Sequence, residues 1–173
     1  MKNISFRNDV LPLKNKLFRL ALRITLDKAE AEDVVQDTMI KVWNRRDTWE
    51  RIDSMEAFCM TICRNIALDK VKAAAKRNIA IDGTEANIPL TPSHEATPEE
   101  QAVTRDRMNT VIRIMNSLPE KQRSAMHLRD FEAKSYKEIA EILNISEEQV
   151  KINIFRARQT IKQKYAKTES YGL

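Results

Sequence analysis

The sequence predicts an all-α protein made of two small helical bundles joined by a flexible acidic linker. Three observations carry this expectation. Only two glycines occur in 173 residues, so the hairpins of a sheet fold and the loops that cradle phosphates lack the residue they need. Apolar residues recur at helical spacing through most of the chain. Between about residues 78 and 98 that spacing fails, in a stretch holding one glycine, three of the five prolines and only acidic charge, which is the composition of a tether.

Residues 10–26 carry Val10, Leu13, Leu17, Leu20, Ala21 and Ile24 on one helical stripe. Asp27 can cap a second helix over about 28–45, in which Ala31, Val34, Val35, Thr38, Met39 and Val42 form an apolar stripe. Glu30, Asp33 and Asp37 lie on another stripe of that helix. Residues 46–54 break the period and read as a loop. Ser54 is a fair N-cap, with Glu56 in the first turn, for a third helix over about 55–76. After the tether, helical spacing resumes at Pro98 and runs to about Leu118. Pro119 then restarts a helix, and segments 120–131, 135–143 and 146–165 follow. The expected division is a first domain over 1–77, a linker over 78–100 and a second domain over 101–173.

The formal net charge of +5 points toward a polyanionic partner. Its distribution says more than its size. Residues 70–79 hold Lys70, Lys72, Lys76 and Arg77 with no acid, residues 81–100 hold five acids with no Lys or Arg, and residues 151–167 are again purely basic. The sequence offers no catalytic triad, metal ligand set or phosphate loop, so neither an enzyme nor a cofactor nor a small-molecule substrate is expected. Cys59 and Cys63 lie four apart on one face of a helix and are expected to be buried thiols. Residues 1–9 are polar and Leu11–Leu26 is broken by Pro12, Lys14, Lys16, Arg19 and Arg23. With no signal peptide and no apolar run of membrane length, the expected location is the cytoplasm.

Residues 135–151 read as a helix-turn-helix. Ile139, Leu143, Ile145 and Val150 take the buried positions, and small Ala140 sits where the two helices approach. Asn144 occupies the turn, where a left-handed conformation is needed and Asn is next best after glycine. Ser146 with Gln149 makes a capping box for the second helix. On that helix Val150, Ile154, Ala157 and Ile161 form the core stripe. The opposite side carries Glu148, Ile152, Phe155, Arg156 and Gln159, flanked by Gln149 and Lys151. Ile and Phe beside cations fit a major groove, where apolar atoms meet thymine methyls and cations meet guanine or phosphate. The same two residues could instead pack on the linker or the other bundle. Arg158, Lys162 and Lys164 lie at the edge or further down, where they would hold phosphates.

Residues 31–43, Ala-Glu-Asp-Val-Val-Gln-Asp-Thr-Met-Ile-Lys-Val-Trp, resemble the core-polymerase-binding helix of bacterial sigma factors, in the form found in the extracytoplasmic-function (ECF) group of the sigma-70 family. Thr61-Ile-Cys-Arg-Asn-Ile-Ala-Leu-Asp-Lys resembles that group's promoter-melting helix. Leu118-Pro-Glu-Lys-Gln-Arg, Tyr136-Lys-Glu-Ile-Ala, Val150-Lys151 and Phe155-Arg-Ala-Arg158 are similar to its second domain. The motifs occur in the family's order and span nearly the whole chain.

The resemblance implies an RNA polymerase subunit with two DNA-reading domains. Glu32, Asp33, Gln36 and Asp37, with Val35, Met39 and Ile40, would dock on core RNA polymerase. Trp49, Arg64, Asn65, Lys70, Lys72, Lys76 and Arg77 would capture the −10 element of promoter DNA. Opening duplex and holding an extruded base needs aromatic and amide groups with cations for the single strand. Trp49 could instead close the bundle, and Trp43 is expected in its core. Lys151, Ile152, Phe155, Arg156 and Arg158 would meet the −35 element as duplex, with Ser135, Tyr136 and Lys137 touching phosphates. Where members of the group often carry Ser-Arg after the lysine, this chain has Ile152-Asn153. An anti-sigma factor, often membrane-anchored in the family, is the further partner implied. The competing readings are a stand-alone helix-turn-helix regulator with an N-terminal sensing or dimerisation bundle, and a helical interaction protein with no DNA role.

Overall fold

The structure, a computed structural model, describes residues 2–77 and 98–170. The predicted linker, with Gly83, falls almost wholly outside those residues. Every regular element among the described residues is helical: α1 (Lys14–Thr25), α2 (Lys28–Asn44), α3 (Met55–Lys76), α4 (Pro98–Asn116), α5 (Glu120–Met126), α6 (Tyr136–Leu143) and α7 (Glu147–Ser170), with short π and 3-10 turns between some of them. None of these helices is long and apolar enough to cross a membrane.

Local chemistry sets the boundaries. α1 begins four residues later than the apolar stripe predicts, because Pro12 lies in a 3-10 turn over Leu11–Leu13 that precedes the helix. Leu26 turns left-handed at φ 57°, and Asp27 accepts a hydrogen bond from the Glu30 N–H to start α2. Ser54 caps α3 through the Ala57 N–H at 3.2 Å. The stretch 46–54, expected as a loop, contains a 3-10 turn over Arg46–Arg51.

α1, α2 and α3 pack mutually into the first bundle around Leu17, Leu20, Val34, Val42, Met60 and Ala67, all fully buried. Cys59 and Cys63 belong to this core, where burial pushes both thiols up to about 12. In the second bundle α7 packs against α4, α5 and α6. The two bundles are not separate bodies. α3 packs against α6 and α1 against α5, and one buried apolar cluster runs from Leu17 and Ala67 through Leu128 to Ile139 and Ile154.

Candidate functional site

The first face is on α2. Glu32, Asp33, Gln36 and Asp37 are exposed, and Ile40 leaves 60% of its surface open beside them. Met39 is half-buried, whereas Val35 is only 4% exposed and belongs to the bundle core. The helical period explains the split: Val35 is one residue from Val34 and four from Ala31, on the inward edge of the stripe. Asp37 is 3.7 Å and Glu30 3.9 Å from the Lys70 ammonium, so one predicted DNA cation of α3 faces back toward the acidic helix.

The second face lies on the 46–51 turn and on α3. Trp49 is buried, and its indole N–H donates to the Val42 carbonyl at 3.2 Å. It therefore closes the bundle. Trp43, expected in the core, is 45% exposed instead. It ends α2 on the outer side, edge-on to Phe6 and Trp49, with the Arg46 guanidinium 4.6 Å from its ring centre. The two tryptophans thus exchange the places the sequence suggested, since the 3-10 turn over Arg46–Arg51 folds Trp49 back onto Val42 in a way that the helical period does not foresee. On α3, Asn65, Lys72, Lys76 and Arg77 are exposed. Arg64 is not: it is 6% exposed and held by Glu120 of α5 through two bonds of 3.0 Å, with the Leu143 carbonyl at 3.4 Å.

The third face is the helix-turn-helix. Asn144 adopts φ 54°, ψ 49°, the left-handed turn its position demands. The capping box forms in both directions: the Gln149 N–H donates to Ser146 Oγ and the Ser146 N–H to Gln149 Oε1, each at 3.1 Å. Val150, Ile154, Ala157 and Ile161 are all buried. Ile152 and Phe155 are 43% and 62% exposed, and Lys151 and Arg156 are exposed with them. Ser135 caps α6 through the Glu138 N–H, and Lys137 is exposed on the same turn. Tyr136 is half-buried between Arg129, 4.3 Å from its ring centre, and Lys151, at 5.5 Å. Arg158 pairs with Asp130, its Nε 3.2 Å from Oδ2, and that bond holds its pKa above the ordinary arginine value.

What the sequence does not announce is the seam between the bundles. Arg19 of α1 forks onto Glu132 at 2.8 and 3.2 Å. Glu56 of α3 takes Lys134 at 2.8 Å and Lys16 at 2.9 Å. Arg23, 1% exposed, donates to His127 Nδ1 at 3.2 Å, and its guanidinium is 5.5 Å from the Phe131 ring centre. A nitrogen that accepts from a guanidinium has no proton of its own, so His127 is the neutral tautomer with its proton on Nε2, which lies 3.5 Å from Glu132 without making a hydrogen bond. Burial drives His127 down to about 4 and Arg23 down to about 10. Burial alone would raise Glu132, but His127 beside it and the Arg19 fork bring it down to about 2. The pairs that cross between the bundles, with Arg64 on Glu120 among them, lie 56 to 113 residues apart, so no local spacing in the sequence points to them.

A helical bundle with an acidic and apolar outer face, followed by a helix-turn-helix whose second helix exposes Ile, Phe, Lys and Arg, defines a helix-turn-helix protein of transcription. The family is fixed by comparison. The family model described as Sigma-70 region 2 matches residues 10–77, and that described as Sigma-70, region 4 matches residues 108–161. The chain is 30% identical to the RNA polymerase sigma-H factor of Pseudomonas aeruginosa, over 88% of this chain and 81% of that one. It is 28% identical to the ECF RNA polymerase sigma factor SigM of Bacillus subtilis, over 87% and 89%. A probable RNA polymerase sigma factor RfaY of Xanthomonas campestris is 26% identical, but only 38% of that longer protein is spanned. Among solved structures, the sigma factor RpoE in complex with the anti-sigma factor NepR from Bartonella quintana superposes with a TM-score of 0.72 at 25% identity, over 94% of this chain and 96% of that one. The chain belongs to the sigma-70 family of RNA polymerase sigma factors, within its ECF group, and is an alternative sigma factor of transcription initiation. The stand-alone regulator reading falls, because its N-terminal bundle is sigma region 2.

Proposed function

We propose that this sigma factor divides its work between three faces. The exposed residues of α2, Glu32, Asp33, Gln36, Asp37 and Ile40 with Met39 beside them, dock on core RNA polymerase, and Val35 supports them from the core. Asn65, Lys72, Lys76 and Arg77 of α3, joined by Arg64 and Lys70 when these leave their internal partners, hold the opened −10 strand, with Trp49 fixing the turn from inside. Lys151, Ile152, Phe155 and Arg156 of α7 read the −35 duplex, while Ser135, Tyr136, Lys137 and Arg158 position it on phosphates. The domain limits are 1–77 and 101–173, with 78–100 as the connection. The single observation that carries this reading is Phe155: a large aromatic left 62% exposed beside Arg156, on the outward face of a capped helix-turn-helix.

The protein acts in the cytoplasm, where polymerase and promoters are, and supplies binding rather than catalysis. The Bartonella sigma factor was crystallised with an anti-sigma factor. A partner of that kind, masking the α2 and α7 faces, fits this chain as well. Run-off transcription with core polymerase tests the assignment: specific initiation that depends on the protein is expected, and its absence on every genomic promoter sinks it. Asp33→Arg should abolish binding to core while the melting temperature stays put, because Asp33 is exposed; unchanged affinity removes α2 from the docking role.

A further inference from the structure

The outward face of α7 has an apolar centre in a cationic frame. Ile152 and Phe155 are 43% and 62% exposed, and a spacing of three makes them neighbours on the helix surface. Lys151 and Arg156 are exposed beside them, and residues 151–167 hold no acid. The occupant that fits is a polyanion that offers apolar groups at the same place. A DNA duplex does so in its major groove, where the C5-methyl of thymine is the apolar group on the base edges.

The polar groups of the face narrow the choice further. Reading adenine bidentately takes a side-chain amide with both its oxygen and its nitrogen available. Gln149 spends Oε1 on the Ser146 N–H at 3.1 Å. Asn153 is half-buried, and its Nδ2 donates to the Gln149 carbonyl at 2.8 Å. Both amides are thus committed to the helix itself. Arg156, four residues beyond Ile152, presents the fork that guanine O6 and N7 accept. Where members of the family often carry Ser-Arg, this chain therefore sets an alkyl group and an engaged amide, Ile152-Asn153.

We propose that Ile152 and Phe155 make the −35 reader of this chain selective for thymine methyl groups, on two consecutive T·A pairs beside a guanine taken by Arg156. This deepens the assignment of α7 to the −35 duplex and rests on it. Successive bases on a strand are about 3.4 Å apart along the helix axis. Side chains three apart on an α-helix are separated by about 5–6 Å, so each apolar residue covers one of two neighbouring methyls. Isoleucine has neither donor nor acceptor, so its preference for thymine is carried by the methyl alone.

The test removes that methyl from the DNA. Holoenzyme assembled from core polymerase and the full chain is offered a promoter found by run-off transcription, with its −35 region randomised. Two adjacent thymines on one strand, next to a guanine, should be enriched. Replacing either thymine by uracil should weaken binding about four-fold, the worth of one buried methyl-sized group. A 5-methylcytosine at the same place should bind better than cytosine. Ile152→Ala should erase the thymine–uracil difference at one position and Phe155→Ala at its neighbour, while Ile152→Val keeps it. The uracil comparison uses the unaltered protein, so it decides even if a variant fails to fold. Enrichment of a −35 sequence without paired thymines, equal binding of thymine and uracil, or a difference that survives both alanine variants overturns methyl reading and leaves α7 on the −35 element. Absence of any −35 preference in a holoenzyme that still initiates overturns the assignment of α7, and methyl reading with it.

Discussion

His127 shows what a single buried side chain does to the energetics of the seam. It is fully buried and neutral, wedged between Arg23, which donates to it, and Glu132, with Arg19 just behind and Phe131 stacked on its ring. In the unfolded chain it would titrate near its ordinary value of about 6.5, and in the folded protein it does so near 4. Between those limits the unfolded state binds the extra proton, so stability falls as the pH drops from about 6.5 toward 4. Glu132, held at about 2, acts in the same direction, its contribution being lost below its ordinary carboxylate range. Each unit of displacement is worth about 1.4 kcal/mol, so the protein should lose roughly 1–3 kcal/mol between pH 7 and pH 5 or below. His127→Gln should flatten that slope whatever it does to stability at neutral pH. Melting curves at pH 7 and pH 5 decide the matter: equal slopes for the two proteins would show that His127 is not the titrating group.

At the scale of elements, the capping box of α7 closes in both directions. Ser146 and Gln149 satisfy two backbone N–H groups that the start of a 24-residue helix leaves without partners. Ser146→Ala should cost about 1 kcal/mol and lower the melting temperature by about 2–4 °C. Because the cap also aims the first turn, where Lys151 and Ile152 follow, −35 binding should weaken with it. A drop in melting temperature without any loss of −35 affinity would separate the cap from the reading face. This element was legible in the sequence because its cues are local: Ser146 and Gln149 stand three apart, Asn144 precedes them, and Val150, Ile154, Ala157 and Ile161 repeat at helical spacing. α2 and α3 were legible for the same reason, with Asp27 and Ser54 as caps. The start of α1 was not, because Pro12 acts on hydrogen bonding rather than on hydropathy. Nor was the exchange of Trp43 with Trp49, which depends on how a 3-10 turn folds back. The seam was illegible for a deeper reason. Arg64 reads as a free cation in a basic helix until Glu120, 56 positions away, is brought against it.

Across the whole molecule, the net charge of +5 is less informative than its separation into two basic surfaces, which the proposed function assigns to different forms of DNA. The end of α3 exposes Lys72, Lys76 and Arg77, a run of cations that suits the backbone of an opened strand. α7 exposes Lys151 and Arg156 beside Ile152 and Phe155, a mixture that suits base edges in duplex. The two surfaces should therefore fail differently when weakened. A Lys76→Gln, Arg77→Gln holoenzyme should lose affinity for all promoters alike. Its plot of log binding constant against log salt should become shallower by roughly 1.4, about 0.7 for each single-strand phosphate contact removed. Arg156→Ala should leave that slope within about 1 of the original, cost roughly 1–3 kcal/mol on the preferred −35 sequence, and relax preference at one base pair. Uniform loss on every sequence for Arg156→Ala would reduce it to a phosphate contact. An unchanged salt slope for the α3 variant would mean that the basic end of that helix does not meet DNA.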